Sequence, residues 1–298
     1  MQKLLLLGDE AIAQGAMDAG LSGIYAYPGT PSTEITEYVQ NLKRASRQHI
    51  HASWSANEKT AMEAALGMSY AGKRAMVCMK HVGLNVAADP FINSAITGAN
   101  GGFIVVAADD PSMHSSQDEQ DSRFFGKFAL IPILEPANQQ EAYDMVHYGY
   151  DFSEKYKIPV LLRITTRLAH SRSGVLKKEP RPMNDLSMPS DLRQFVLLPS
   201  IARKRYRNLL NDQPSFEMES ENSSFNRYID GPDKSLGIIA CGLAYNYLLE
   251  NYPDRVVPYP VVKIGQYPLP RKASENVASL INIYPKYQSM LMISWQIL

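Results

Sequence analysis

Short apolar runs alternate with helix-forming segments along the first half of the chain, and this alternation constrains the fold more than any other feature. Strand-like runs occupy residues 22–27, 74–79, 103–108, 131–134 and 158–164, with a further one around residues 49–51. The predicted helices cover residues 9–20, 33–44, 57–71, 83–98 and 138–155. Strands separated by helical crossovers are typical of parallel sheets. The pattern therefore predicts an open α/β domain with a parallel sheet up to about residue 170.

The rest of the chain predicts a linker and a second, smaller α/β unit. Residues 173–234 are rich in Pro, Ser and charge, which is typical of a connecting segment, and we predict one short helix there at 200–210. Residues 235–298 then resume the α/β pattern with a strand at 236–242, a helix at 244–252 and a strand at 256–265. The closing apolar run SMLMISWQIL has no helix after it. We therefore expect this second unit to be truncated.

Charge and cysteine content exclude several classes of protein. Thirty Lys plus Arg balance thirty Asp plus Glu, and a protein that binds nucleic-acid phosphates usually has a basic excess. Two cysteines, Cys78 and Cys241, are too few to bind an iron–sulfur cluster within the chain. The apolar part of the opening MQKLLLLGDE is shorter than a signal peptide requires, and no run approaches the roughly 20 residues of a membrane span. We expect a cytoplasmic protein that binds neither nucleic acid nor membranes.

Several polar residues are candidates for a site. Asp109 and Asp110 follow the predicted strand 103–108, where ligands collect in open α/β sheets, but Asp110 could equally begin a turn with the proline after it. His49 and His51 would share a strand face and could bind a metal, although a solvated or packed pair is the favoured interpretation. Residues 111–126 are polar yet hold two phenylalanines, which indicates either a functional loop with an anchored aromatic end or an ordinary surface loop.

Glu58 is the most informative of these candidates. It would stand in the first turn of the helix 57–71, directly after Asn57, which is a suitable N-cap. An acidic residue is favoured at this position by the helix dipole alone. From its position alone we interpret Glu58 as a helix-stabilising charge.

Six segments together resemble one family. In order along the chain they are GDEAIAQGAMDAG (8–20), YPGTPSTEI (27–35), WSANEKTAMEAALGMSYAG (54–72), MKHVGLNVAADP (79–90), ADDPSMHSSQDEQDSRFF (108–125) and IPVLLRITTRLAHSR (158–172). They resemble the α subunits of indolepyruvate:ferredoxin oxidoreductases, within the pyruvate:ferredoxin oxidoreductase family of thiamine-diphosphate enzymes. The resemblance implies that residues 1–172 form a pyrimidine-binding domain and that residues 235–298 begin a transketolase C-terminal-like domain.

The resemblance also implies roles for individual residues. Thiamine diphosphate would be the coenzyme, and Glu58 would be the catalytic residue that contacts N1′ of its aminopyrimidine and promotes the imino tautomer. Val82 and Asn85 would lie beside the coenzyme, and Thr30 and His81 would face the substrate. Because the family's Gly-Asp-Gly…Asn magnesium motif is not in this sequence, we expect no metal ligands in the chain, with Mg²⁺ and iron–sulfur clusters supplied from outside it.

The same resemblance implies an activity and a set of partners. The activity would be the oxidative decarboxylation of a 2-oxo acid of the indolepyruvate or arylpyruvate type to an acyl-CoA, with ferredoxin as electron acceptor. The partners would be a diphosphate-binding and iron–sulfur segment or subunit, a second oxidoreductase subunit, ferredoxin, CoA and a further copy of the chain. We expect the chain alone to be inactive.

Two alternatives remain open. The chain could be a non-catalytic α/β scaffold or interaction subunit that retains the fold, or a decarboxylase of the same coenzyme class that does not use ferredoxin. The segment 108–125 disfavours the decarboxylase, because it resembles the oxidoreductases specifically. Selectivity for the 2-oxo acid depends on pocket shape, which the sequence does not show.

Overall fold

The computed structural model describes residues 2–42, 49–270 and 290–293. The strands in these ranges are β1 (Lys3–Leu7), β2 (Gly23–Ala26), β3 (His51–Trp54), β4 (Ala75–Lys80), β5 (Phe103–Asp109), β6 (Ile133–Leu134), β7 (Val160–Thr165), β8 (Arg172–Leu176), β9 (Arg227–Ile229), β10 (Gly237–Cys241), β11 (Val261–Ile264), β12 (Gln266–Tyr267) and β13 (Met290–Ile293). The helices are α1 (Gly8–Asp18), α2 (Thr33–Asn41), α3 (Glu58–Tyr70), α4 (His81–Val86), α5 (Ala88–Thr97), α6 (Ser122–Ala129), α7 (Gln139–Tyr156), α8 (Thr166–His170), α9 (Pro199–Glu221) and α10 (Ala244–Glu250).

The central sheet is mostly parallel. Among the described residues it has seven strands in the order β12-β6-β7-β5-β4-β2-β3, and only β12 runs antiparallel to its neighbour. Strands β5 and β7 are buried along their whole length. Continuous burial is expected where helices cover both faces of a parallel sheet. The predicted α/β class with an open parallel sheet is confirmed.

Helix α1 forms much of the core beside this sheet. Every residue of α1 except Glu10 is buried, and the helix packs against α7 and α2. The hydroxyl of Tyr143 on α7 donates to Asp18 of α1 over 2.9 Å. The helix is therefore held by both apolar packing and a buried polar contact.

Some elements differ from the sequence prediction. β1 was not predicted, nor was β8, which pairs with it antiparallel. The short helix predicted at 200–210 continues from Pro199 to Glu221 and passes through Pro214. Only Leu209, Phe216 and Ser220 of this helix are buried, so its polar, proline-containing sequence reads as a linker. The strand predicted at 256–265 begins at Val261.

A second sheet follows the long helix. Among the described residues it has four strands in the order β13-β10-β11-β9. Strand β12, although it follows β11 directly, pairs with β6 and so belongs to the central sheet. The domain boundaries at residues 172 and 235 stay predictions. Residues 43–44 of the predicted helix 33–44, and residues 271–289 and 294–298 of the predicted second unit, lie outside the described residues.

None of the helices in the described part of the chain combines the length and the apolar character that crossing a membrane requires.

Candidate functional site

The candidate site lies at the carboxyl ends of neighbouring parallel strands. β2 ends at Ala26 and leads into the turn 27–32, β4 ends at Lys80 and leads into α4, and β5 ends at Asp109. These three strands are adjacent, so their carboxyl ends meet at one edge of the sheet. That edge is where open α/β folds bind ligands. The structure thereby brings together three strand ends that lie 29 to 83 residues apart in sequence.

Glu58 is the first residue of α3. Asn57 caps the helix, because its side chain accepts a hydrogen bond from the backbone N–H of Thr60 over 2.9 Å. Glu58 itself is only 8% exposed. Within the residues that the structure describes, no donor hydrogen-bonds its carboxylate. The Glu58 carboxylate is therefore available to a ligand that can donate to it.

Gly83 of α4 packs directly against the carboxyl group of Glu58. A Cβ atom built on Gly83 would lie 2.6 Å from Oε1 and 2.7 Å from Cγ of Glu58. These separations are shorter than van der Waals contact, so only glycine at this position leaves Glu58 where it is. The role of Gly83 could not be predicted from the sequence, because nothing in the spacing of Glu58 and Gly83 indicates that they are in contact.

Asp110 organises the loop that follows β5. Its carboxylate accepts from the backbone N–H of Ser115 over 2.7 Å and from the hydroxyls of Ser116 and Thr166 over 2.8 and 2.7 Å. Burial alone would raise the pKa of Asp110, but these donors outweigh it and lower the pKa to about 2. Asp110 is thus an anion that orders residues 111–116. It begins the turn after β5, and the same turn forms part of the candidate site.

His81, the first residue of α4, is fully buried against the loop that follows β5. Its Nδ1 accepts from the backbone N–H of Asp110 over 3.3 Å, so the proton resides on Nε2, which donates to the carbonyl of Asp118 over 2.9 Å. Both ring nitrogens are therefore used within the protein. The predicted contact of His81 with substrate would require the loop to move.

Thr30 joins this hydrogen-bonded region through its backbone. The hydroxyl of Ser115 donates to the carbonyl of Thr30 over 3.3 Å, and the Nζ of Lys80 donates to the carbonyl of Ser115 over 2.9 Å. The Thr30 side chain is exposed, as a group that meets a ligand must be. On α4, Val82 is half-buried and Asn85 is exposed.

Asp109, beside Asp110, belongs to a buried ion network. The fully buried Arg163 donates to Asp109 over 2.6 Å and to Glu135. Burial disfavours the guanidinium charge, but Glu135 and Asp109 outweigh it and raise the pKa of Arg163. Glu135 also accepts from the hydroxyl of Tyr267 over 2.8 Å. This buried network holds the end of β5 in place, and its hydrogen bonds leave Asp109 unavailable to ligands.

A cavity of about 360 Å³ opens beside the loop. Its lining comes from the loop and from the end of β7 with α8, and it consists of Pro111, Ser112, His114, Thr165, Thr166, Arg167, His170 and Ser171. Three of these residues have side chains that carry or can acquire a positive charge. The sequence analysis did not single out any of the three, because β7 and the loop meet only in the folded chain.

Two further predictions have outcomes. His49 has a left-handed backbone with φ of 53°, so it does not share a strand face with His51 of β3. The shared strand face that the metal alternative requires is therefore absent, and both side chains are exposed, in keeping with the favoured interpretation of a solvated or packed pair. In the loop 111–126, Phe125 packs against the core whereas Phe124 is 70% exposed, so one of the two phenylalanines anchors the loop's end.

Comparison with known proteins identifies the family and the fold. The family described as pyruvate flavodoxin/ferredoxin oxidoreductase, thiamine-diphosphate-binding, matches residues 14–195. Indolepyruvate oxidoreductase subunit IorA of Archaeoglobus fulgidus is 46% identical over 93% of this chain and 45% of its own length. The subunit of the same name from Methanothermobacter thermautotrophicus is 39% identical over the same shares. The chain thus spans about half the length of these curated relatives.

The fold also has a solved counterpart. The 2-oxoglutarate:ferredoxin oxidoreductase from Magnetococcus marinus superposes with a TM-score of 0.75 over 99% of this chain and 63% of that chain, at 16% identity. This similarity shows a shared fold. Together with the family match over more than half of the sequence, it leads to one conclusion: the chain belongs to the pyruvate flavodoxin/ferredoxin oxidoreductase family, whose thiamine-diphosphate-binding region it contains.

Proposed function

We propose that this chain is the pyrimidine-contacting part of a thiamine-diphosphate-dependent 2-oxo-acid:ferredoxin oxidoreductase whose substrate is an arylpyruvate such as indolepyruvate. The single observation that carries the proposal is the nearly buried carboxylate of Glu58 at the carboxyl edge of the sheet, to which no group of the described residues donates. The names of the relatives support the substrate class. A residue that only stabilised the helix through its charge could stay in water, whereas Glu58 is only 8% exposed.

The residues around Glu58 fit an aminopyrimidine ring. A carboxylate in a poorly solvated position can hold a proton or share it with a ring nitrogen. The Glu58 carboxyl packs against the backbone of Gly83, in the space that a side chain at position 83 would otherwise fill. Val82 offers an apolar contact and Asn85 an amide from the same helix. When bound, thiamine diphosphate supplies the carbanion chemistry at its thiazolium C2. Glu58 holds the proton at N1′, Thr30 orients the substrate, and His81 contacts the substrate once the loop moves and frees a ring nitrogen.

The remaining chemistry is assigned to other segments or subunits. The sequence of 298 residues has no Gly-Asp-Gly motif, and its two cysteines are both buried and free. Mg²⁺, the diphosphate-binding residues and the iron–sulfur clusters therefore come from elsewhere in the enzyme. Ferredoxin, CoA, a second oxidoreductase subunit and self-association of the chain belong to the same proposal, as do inactivity of the chain alone and a cytoplasmic location.

The test replaces Glu58 by glutamine in the complete enzyme. Glutamine keeps the shape of the side chain but cannot hold the proton, and loss of proton control of this kind costs about 10²–10⁴ in rate. We expect indolepyruvate-dependent ferredoxin reduction to fall by that factor. Melting should change little, because one charge in a first helical turn contributes only about 0.3–1 kcal/mol.

The matched control is Glu63→Gln on the same helix. Glu63 is half-exposed and lies 4.0 Å from Lys59, so its loss should leave the rate unchanged. If both variants turn over like the parent, Glu58 is a capping charge and the assignment is wrong. If the parent enzyme itself shows no activity with any 2-oxo acid while the complex still assembles, the scaffold alternative replaces the proposal.

A further inference from the structure

A cluster of ligand-type side chains lies apart from Glu58, at the ends of three helices. Asp9 is the second residue of α1, Glu34 the second residue of α2 and His170 the last residue of α8. One potential ligand atom from each side chain lies within 4.8 Å of the other two. The proposed function uses none of these residues.

Asp9 is the residue that requires an explanation. It is fully buried, and neither of its carboxylate oxygens has a hydrogen-bond partner among the described residues. The neighbouring Glu10, by contrast, accepts from the backbone N–H of Leu7 over 2.8 Å. A buried carboxylate with no donor is stable only if a cation or a proton neutralises it.

The groups around Asp9 increase this requirement. The Glu34 carboxyl lies within hydrogen-bonding reach of the Asp9 carboxyl, and Glu10 is a further acid nearby. Glu34 has a buried, unpartnered Oε2 of its own. The cluster thus concentrates negative charge around one point, and His170 is the third group that faces it.

We propose that Asp9, Glu34 and His170 bind a divalent transition-metal ion of the Zn²⁺ type. Two carboxylates and one imidazole are ligands of this class, whereas Mg²⁺ and Ca²⁺ prefer oxygen ligands alone. Nε2 of His170 lies 3.5 Å from Oε1 of Glu34. Bonds of about 2.0–2.2 Å in a tetrahedral site separate two ligand atoms by about 3.4 Å, so this pair is already correctly spaced.

The ion would be reached from solvent through the cavity beside α8. His170 lines that cavity and also belongs to the cluster, so it connects the buried Asp9 to an open volume. Three protein ligands leave the fourth position of a tetrahedral ion for water or a small anion. The ion would tie the starts of α1 and α2 to the end of α8. The site could not be predicted from the sequence, because Glu34 lies 25 residues after Asp9 and His170 lies 136 residues after Glu34.

The experiment measures Zn²⁺ binding to the full, untagged chain after treatment with a chelator. Calorimetry should show one Zn²⁺ per chain, and Co²⁺ should give the visible absorption of a bound ion. At about a hundredfold excess over Kd, Zn²⁺ should raise the melting temperature by about 5 °C or more. Both cysteines are buried, so thiolates at the surface do not compete as ligands.

Variants separate this site from adventitious binding. Asp9→Asn and His170→Gln are made as two separate variants, and Asp9→Asn keeps the shape of the side chain. Each should weaken Zn²⁺ binding by about tenfold or more and abolish the thermal shift. His51→Gln is the matched control, because His51 is exposed at the opposite, amino end of the sheet. The proposal is overturned if all three variants bind Zn²⁺ equally. It is also overturned if the parent binds no ion, in which case Asp9 and Glu34 share a proton.

Discussion

The carboxylates at this edge of the sheet fall into two groups with opposite surroundings. In the loop region, Asp109 and Asp110 are buried and each accepts several hydrogen bonds, including those from Ser115 and Arg163. At the helix starts, Asp9 and Glu58 are also largely buried, but no described group donates to either. The two groups are therefore alike in burial and differ in the supply of donors.

The presence or absence of hydrogen-bond donors within the chain distinguishes structural acids from ligand-binding acids. A carboxylate that has its donors within the chain gains stability for the fold and has little capacity left for a ligand. A buried carboxylate without donors costs stability, so it persists only where an external partner compensates. Asp110 therefore stabilises the loop. In the two proposals, Glu58 contacts a coenzyme and Asp9 binds a metal ion.

The largest expected effect comes from removing the donor of the first group. Arg163→Gln removes the cation that pairs with the buried Asp109 and leaves Glu135 with Arg123 alone, 3.5 Å away, and breaking a buried ion pair in this way costs about 3–5 kcal/mol. Urea unfolding of the full chain measures the loss. Arg193→Gln, at an exposed ion pair with Asp191, should change the free energy of unfolding by less than about 1 kcal/mol. Equal losses for the two variants would contradict the comparison.

Asp110→Asn tests the second donor-rich acid. The pKa of Asp110 falls from 3.8 to about 2 in the folded chain, so its charge contributes about 2 kcal/mol, present above pH 4 and lost as the pH falls through 2. At pH 7 the variant should be less stable by about that amount.

Acid unfolding provides the check on Asp110. Between pH 5 and pH 2, the parent should lose about 2 kcal/mol more than the Asp110→Asn variant loses, because only the parent has this carboxylate to protonate. Parallel stability curves over that range would show that Asp110 does not hold the loop as an anion.

Gly83→Ala tests the support of Glu58 without altering its charge. The added methyl group would collide with the Glu58 carboxyl, and overpacking of this kind costs about 1–3 kcal/mol. In the complete enzyme we expect the rate to fall at least about tenfold, as the carboxylate is displaced. Gly67→Ala on α3 is the control, since its Cβ would meet nothing within 4 Å and alanine there should stabilise the helix. Equal rates for the two variants would mean that the position of Glu58 is unimportant.

The smallest expected effect has the opposite sign. With chelator present at pH 7, Asp9→Asn should leave the chain as stable as the parent or more stable by up to about 1 kcal/mol, because the raised pKa of Asp9 means that its charge opposes folding. Thermal unfolding measures this change. A clear destabilisation would show that Asp9 has a donor that compensates its charge, and the distinction from Asp110 would fail.

The sequence predicted most of the central sheet and its helices from local pattern. The apolar runs that became β4, β5 and β7 are bounded by turn residues, and Asn57 marks the start of α3. It failed where burial depends on distant partners. Pro214 lies inside α9, whose stability comes in part from packing against α5 and β12, and β1 forms only because β8 lies beside it.

By itself, the sequence determined the α/β class and, through the order of its motifs, the family, because helix caps, strand runs and motif order are local properties. The role of Glu58 stays a prediction that rests on the resemblance. Only the tertiary structure decided which acids have donors. Gly83 against Glu58, Ser115 and Thr166 on Asp110, and the meeting of Asp9 with His170 each join residues distant along the chain. Hydrogen bonding and burial depend on distances in space, and those distances exist only once the sheet has brought its strand ends together.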